Sequence, residues 1–126
     1  KVTNSQILFN LVSKQWDLYL IEFQEEVKIV LLNRANIVLG IFEMSKGGTS
    51  GTVVDIKMIL GIALKCNASS IVIAHNYPSG SLEPSEPDKS ITKKLKEACR
   101  ILDLNLLDHL IITGHGYYSF SDNLLL

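Results

Sequence analysis

The second half of the chain alternates strand-like runs with a helical pattern, and this alternation restricts the possible folds most strongly. Residues 71–74 form a short apolar run of the kind found in buried strands. Residues 88–102 then place apolar side chains at helical spacing, and residues 110–113 form another apolar run. A strand, a helix and a second strand in this order favour a sheet covered by helices.

The remaining elements extend this pattern on both sides. Residues 5–20 have apolar residues three and four apart, which predicts a helix capped by Asn4 or Ser5. Residues 27–42 indicate two strands joined by a turn, and residues 117–120 indicate a final strand. We therefore predict the order α, β, β, α, β, α, β, β in a single domain over residues 1–126, with α/β class and a mixed sheet flanked by helices.

The connection between the second strand and the second helix is rich in glycine. Residues 45–51 predict a loop, which lacks the Gly-Lys-Ser/Thr order of a phosphate-binding P-loop. The helix after it is expected to begin at Thr52 or Asp55 and to extend to Cys66.

Composition sets limits on location and partners. A net charge of −1 gives no general basis for non-specific nucleic-acid binding. No apolar run approaches the roughly 18 residues of a membrane span, and the first residues do not resemble a signal peptide. Cys66 and Cys99 lie in helical patterns and predict two buried, reduced thiols. We expect a cytoplasmic protein without a membrane partner.

Polar groups follow the strand at 71–74 in a loop stiffened by prolines. His75 and Tyr77 are two residues apart at the strand end, so both side chains can point to the same side. Asp88 follows thirteen residues after His75, and the chain between can fold back through Pro78, Gly80, Pro84 and Pro87. Three such ligands and one water form a zinc hydrolase site, in which a nearby carboxylate takes the proton of the attacking water.

The residue types and their spacing in this loop resemble a known motif. His75-x-Tyr77-Pro78-Ser79-Gly80, followed by Pro84-Ser85-x-x-Asp88, is similar to the JAMM (JAB1/MPN) metalloprotease motif His-x-His-x7-Ser-x2-Asp. With the flanking segments 31–36, 107–112 and 118–120, nearly the whole chain resembles the RadC family, historically labelled DNA repair proteins. The resemblance implies a JAB1/MPN (cytidine deaminase-like) architecture. Family members usually carry an N-terminal helix-hairpin-helix region, so we expect this chain to be the C-terminal part of a longer protein.

The resemblance also implies roles for individual residues. His75 corresponds to the first zinc ligand and Asp88 to the last, while Ser85 corresponds to the serine that stabilises the oxyanion. The general base of the family corresponds to Glu25, with Glu26 as the alternative. The implied activity is that of a zinc-dependent metallopeptidase or isopeptidase acting on a protein or peptide.

Tyr77 occupies the position of the second ligand histidine. A phenol has a pKa near 10 and does not belong to the usual zinc ligand sets. Changing a residue that only orients a metal ligand typically lowers metal affinity 10–100-fold. The loss of an imidazole that binds the metal directly should lower zinc affinity by more than this. The alternative function is therefore a catalytically inactive binding or scaffold module linked to DNA repair or DNA metabolism.

Simpler structural explanations exist for each of these residues. Ser85 and Asp88 have the spacing of a helix N-cap pair, and His75 could be a hydrogen-bonded residue at a strand end. Glu25 and Glu26 could be a solvated charge pair. His109 is expected to be held by the sheet, with a role as a substitute ligand as the alternative, and His115 to lie in an exposed turn.

A row of basic residues marks the predicted helix at 88–102. Lys89, Lys93, Lys96 and Arg100 recur on the face opposite the apolar stripe. Such a row usually forms a solvated helix face, and the alternative is a phosphate-binding surface. Because no aromatic residues are interleaved for base stacking, the solvated face is the favoured interpretation.

Overall fold

The computed structural model describes residues 1–46 and 54–126, which form a five-stranded sheet with helices on both faces. In chain order the elements are α1 Ser5–Ser13, β1 Glu26–Leu32, β2 Val38–Lys46, α2 Ile56–Lys65, β3 Ser70–Asn76, α3 Glu86–Ile101, β4 Asn105–Thr113 and β5 Gly116–Ser119. This order confirms the predicted sequence of elements and the mixed α/β class.

The sheet has the strand order β2-β1-β3-β4-β5. Strand β3 pairs in parallel with β4, and the other neighbouring strands are antiparallel. Helix α3 makes the crossover between the parallel strands β3 and β4, as a parallel connection requires. The carboxyl end of β3 therefore lies in the middle of the sheet, beside the start of α3.

Two apolar cores lie on opposite faces of the sheet. Along β1, Ile29 and Leu31 face the core shared with α2 and α3, whereas Val30 and Leu32 face the core shared with α1. The alternation follows from the two-residue period of a strand. Leu95 anchors α3 to its core with no exposed surface, and its burial contributes about 2 kcal/mol.

The first helix is shorter than the predicted range 5–20. Helix α1 ends at Ser13, and its N-cap is Asn4, whose Oδ1 accepts a hydrogen bond from the Ile7 amide at 2.9 Å. Residues 17–23 form turns instead, in which Asp17 Oδ1 accepts a hydrogen bond from the Tyr19 amide at 2.8 Å. Asp17 thus starts a separate turn after the helix, because a short aspartate side chain readily accepts a hydrogen bond from a backbone amide two residues further on.

The start of the second helix is set by a side chain. Asp55 Oδ1 accepts a hydrogen bond from the Met58 amide at 3.0 Å, which makes Asp55 the N-cap of α2. The alternative start at Thr52 lies outside the described residues, as do residues 47–51 of the predicted glycine-rich loop. Ser45 and Lys46, which were predicted to belong to that loop, are part of β2.

The prediction of two buried cysteines was wrong for Cys66, which is exposed at the end of α2, where it is the C-cap. Cys99 is buried, as predicted.

Strand β4 begins at Asn105, earlier than the predicted range 110–113. The sequence did not predict this extension because Asp108 and His109 are polar, although both side chains are buried within the strand. Both have polar partners: Asp108 Oδ2 accepts a hydrogen bond from the Ser119 hydroxyl at 2.6 Å, and His109 pairs with Thr92. In the two described stretches, no helix is both long and apolar enough to cross a membrane.

Candidate functional site

His75 lies at the carboxyl end of β3, where it is 3% exposed. Its ring has a carboxylate on each side. Nε2 contacts Glu25 Oε1, and Nδ1 lies 3.6 Å from Asp88 Oδ2, beyond hydrogen-bond distance. Nδ1 is buried and has no hydrogen-bond partner among the described residues. The structure thus brings the predicted residues 25, 75 and 88 together.

The two adjacent glutamates before and within β1 have different surroundings. Glu25 precedes the strand and contacts His75, with a fifth of its side chain exposed. Glu26 is the first residue of β1, and its side chain is buried with Lys28, whose Nζ lies 3.3 Å from Glu26 Oε1. Lys28 Nζ also lies 3.0 Å from Glu43 Oε2. Of the two candidates for the family glutamate, only Glu25 has its carboxylate beside His75.

The chain returns to His75 through the start of α3. The Gly80 amide donates to the Tyr77 carbonyl at 3.0 Å, and Gly80 has a φ of 84°, in the left-handed region that favours glycine. Ser85 is the N-cap of α3, and its Oγ accepts a hydrogen bond from the Asp88 amide at 3.2 Å. The capping interpretation and the position beside His75 therefore both apply to the Ser85–Asp88 pair.

Tyr77 occupies the space between Asp88 and Ser85. Its hydroxyl donates to Asp88 Oδ2, and its oxygen accepts a hydrogen bond from the Ser85 amide at 3.1 Å. Partial burial, followed by the hydrogen bond to Asp88, raises the pKa of Tyr77 to about 12. The phenol is therefore neutral at physiological pH, and its donor and an acceptor position are both used by the protein.

These residues are a poor fit for the zinc ion that the family motif implies. A zinc ligand must present a free lone pair, and Tyr77 would have to lose a proton whose pKa lies far above neutrality. The carboxylate of Asp88 is already bound to that proton. Within residues 1–46 and 54–126, no group of three or more His, Cys, Asp or Glu side chains is placed to hold a metal.

Asn76 is a residue of this site that the sequence did not single out. It is fully buried, and its Oδ1 accepts a hydrogen bond from the Glu26 amide at 2.7 Å. Its Nδ2 donates to the carbonyls of Ile21 and Gln24 at 2.9 and 2.8 Å. One amide thus fixes residues 21–26 against the end of β3 and holds Glu25 beside His75. These partners are about fifty residues away in sequence, so no local pattern reveals them.

His109 lies beneath the site, on the same face of the sheet. It is fully buried, its Nδ1 lies 2.6 Å from Thr92 Oγ1 of α3, and its ring stacks on Phe120 at 4.5 Å. Its centroid is 6.2 Å from that of His75. Burial is the main reason that the pKa of His109 falls to about 3, so its ring is neutral. Its hydrogen-bond partner is therefore a side chain of α3.

The remaining sequence candidates lie away from the pair of carboxylates. His115 is exposed in the turn before β5, as predicted. Lys93, Lys96 and Arg100 are exposed along α3, and Lys89 is half-buried. Arg100 pairs with Glu97, and Lys89 Nζ lies 3.3 Å from Glu86 Oε1. The basic row is therefore a solvated face in its outer part, as expected.

Similarity to known proteins extends over most of the chain. The family model described as the RadC-like JAB domain matches residues 2–125. A UPF0758 protein of Flavobacterium johnsoniae is 48% identical over 98 residues, which cover 78% of this chain and 43% of that protein. A UPF0758 protein of Porphyromonas gingivalis is 41% identical over 104 residues, covering 82% of this chain and 46% of that protein.

Two conclusions follow from these matches. The aligned part of the chain spans less than half the length of the curated relatives, 43% and 46% for these two. Their names state no activity, so the matches establish ancestry and fold rather than chemistry. Because the family model matches residues 2–125 and the mixed sheet is in place, the chain belongs to the RadC-like JAB domain family.

Proposed function

We propose that this domain is a binding module built on the JAB fold, in which Tyr77 has replaced zinc chemistry with a closed polar network. The observation that carries the proposal is the hydrogen bond from the Tyr77 hydroxyl to Asp88. It occupies the carboxylate that the family motif uses as its last ligand. Of the three ligand positions of that motif, His75 alone then keeps an available nitrogen, because its Nδ1 has no hydrogen-bond partner in the described part of the chain.

Electrostatics supports the same conclusion. A metal site must stabilise the deprotonated ligand, whereas this site raises the pKa of Tyr77 to about 12 and so stabilises the neutral phenol. The contact between Glu25 and His75 consumes a second polar pair. Such internally paired groups hold the loop in one conformation, which suits a surface that recognises a partner.

A zinc-dependent hydrolase of the metallopeptidase or isopeptidase type is the second candidate. It is favoured by the convergence of Glu25, His75, Ser85 and Asp88 at one strand end, with Glu25 inside contact distance of the imidazole. In that case His75 and Asp88 would hold the zinc, which would supply an activated water, and Glu25 would take a proton from it. Tyr77 would have to release Asp88 first.

Metal analysis of protein purified without chelators distinguishes the two candidates. We expect zinc far below one equivalent for the unmodified chain, with no change in His75→Ala or Asp88→Ala. A matched control is His115→Ala, which removes an exposed histidine outside the site. Zinc near one equivalent that disappears in the His75 and Asp88 variants, but not in the His115 variant, would favour the hydrolase and refute the binding module.

A partner in DNA metabolism is a further expectation from the family label. The overall charge of −1 gives no general basis for non-specific binding of nucleic acid by this domain. A protein partner is the more compatible choice for the binding module, and the surface described next supplies its chemistry.

A further inference from the structure

A groove leads from the His75–Asp88 loop along the basic side of α3. Its upper part, about 630 Å³, is lined by the loop residues Ser81–Pro84 together with Tyr118, Lys89 and Leu125. Its lower part, about 740 Å³, is lined by Lys93, Lys96 and Arg100 of α3 and by the apolar residues 124–126. Lys89 and Leu125 line both parts, so the two depressions form one continuous groove.

The lower groove combines cations with an apolar wall. Arg100 and Lys89 have the intrahelical partners Glu97 and Glu86. Lys93 and Lys96 form no ion pair with any residue that the structure describes, and both are exposed. In the same lining, Leu124 is 89% and Leu125 41% exposed to solvent. A ligand of this groove must therefore offer both negative charge and apolar groups.

The dimensions fit an extended peptide. From Lys89 to Arg100 the helix rises about 17 Å, the length of about five residues of extended chain. The upper part adds room for several more residues beside Leu82 and Pro84, close to the Ser85 N-cap. A segment of about ten residues would fill both parts of the groove.

We propose that this groove binds an extended acidic segment of a partner protein, with acidic side chains against Lys93 and Lys96 and apolar side chains against the residue 124–126 wall. The inference rests on the proposed function, because it names the partner class of the binding module. A nucleic acid fits less well, since none of the described residues that line the lower groove is aromatic and could stack on a base.

The test uses the chain as it is and a fluorescent decapeptide of five glutamates alternating with five leucines. We expect saturable binding by anisotropy that weakens as salt rises. Lys93→Glu with Lys96→Glu should weaken binding about tenfold or more. Lys57→Glu with Lys94→Glu makes the same change in net charge at exposed positions outside the groove and should leave binding within about twofold.

A second pair of variants tests the apolar wall. Leu125→Ser should weaken binding severalfold, whereas Leu64→Ser, at an exposed position of α2, should not. A peptide with serines in place of the leucines should bind more weakly to the unmodified chain. Circular dichroism and thermal unfolding confirm that all variants are folded before binding is compared.

Several outcomes would overturn the proposal that this groove binds an acidic segment. They are no saturable binding, equal losses in both double lysine variants, or tighter binding of a single-stranded DNA decamer that the Lys93/Lys96 variant abolishes. The last would make the helix face a nucleic-acid surface. Zinc content is a separate measurement: a full zinc equivalent refutes the proposed function alone, and absent peptide binding in zinc-free protein refutes the groove alone.

Discussion

Tyr77 is the residue whose chemistry separates this domain from the metal motif that its loop resembles. Its hydroxyl reaches Asp88 beside the His75 ring and satisfies the carboxylate with a proton instead of a metal. A histidine at this position would offer a neutral nitrogen lone pair at pH 7, whereas the phenol offers a hydrogen-bond donor. Asp88 therefore binds a phenol proton where the motif places a metal ion.

The raised pKa of Tyr77 gives a prediction at alkaline pH. The folded chain should contain one tyrosine that ionises near pH 12. Since an unfolded tyrosine ionises near pH 10, the unfolded chain loses this proton first, and the stability that it contributes falls as pH rises from about 10 to 12. Absorbance of tyrosinate during a pH titration measures the ionisation directly.

Two phenylalanine variants identify the residue responsible. Tyr77→Phe should remove the ionisation near pH 12, whereas Tyr19→Phe, at an exposed position, should retain it. Persistence of the high-pH step in Tyr77→Phe would show that the phenol is not held by Asp88 in the way described.

At the scale of elements, the site is built by the end of β3 and the start of α3. Ser85 caps the helix and Asp88 lies in its first turn, where a carboxylate also interacts favourably with the helix dipole. The helix end therefore accounts for both residues without a metal. Asn76 performs the equivalent task on the other side, since it holds the segment that carries Glu25.

Removal of the Ser85 cap should destabilise the fold by the amount typical of helix N-caps. Ser85→Ala leaves the Asp88 amide without its side-chain acceptor, and we expect the free energy of unfolding to fall by about 1 kcal/mol. Ser90→Ala, at an exposed position within the same helix, is the control and should change stability by less than about 0.5 kcal/mol. Urea denaturation measures both; equal effects of the two variants would contradict the capping role.

At the scale of the molecule, the sheet carries a neutral histidine in its interior. His109 meets Thr92, Phe120, His75 and the nearby charge of Asp88, and its pKa falls to about 3 mainly because it is buried. An unfolded histidine takes up its proton near pH 6.5. Between these values the unfolded chain binds one more proton than the folded chain, so stability falls as pH falls.

This linkage predicts a slope in acid. Below about pH 6 the free energy of unfolding should fall by about 1.4 kcal/mol for each pH unit on account of His109. The variant His109→Asn should lose this part of the slope, and His115→Asn, in the exposed turn, should not. Chemical denaturation at several pH values provides the measurement. An unchanged slope in His109→Asn would show that the histidine is protonated in the folded protein.

The architecture was largely predictable because apolar periodicity reports which face of each element is buried. Helix α3 and the strand at 71–74 were recognisable in this way, and both became longer in the structure. The shorter α1 and the early start of β4 were not predictable, because each depends on polar contacts. Asp17 forms a turn within the range 5–20 that was predicted to be helical. The hydrogen bond between His109 and Thr92 allows a polar side chain to be buried within β4.

The convergence of residues 25, 75, 77, 85 and 88 could be anticipated only through the family motif. Their spacing shows that they can meet, but the bond from Tyr77 to Asp88 depends on the direction of each side chain. The role of Asn76 depends on contacts across about fifty residues, which a single sequence does not reveal.

An equilibrium zinc titration of the unmodified chain, Tyr77→Phe and Tyr77→His tests the central claim most directly. Tyr77→His restores the missing imidazole and removes the proton from Asp88, so we predict one tight site with an affinity at least about 100-fold above that of the unmodified chain. Tyr77→Phe frees Asp88 without adding a ligand and should gain little. One equivalent of zinc bound by the unmodified chain as tightly as by Tyr77→His would contradict the claim that Tyr77 closes the metal site.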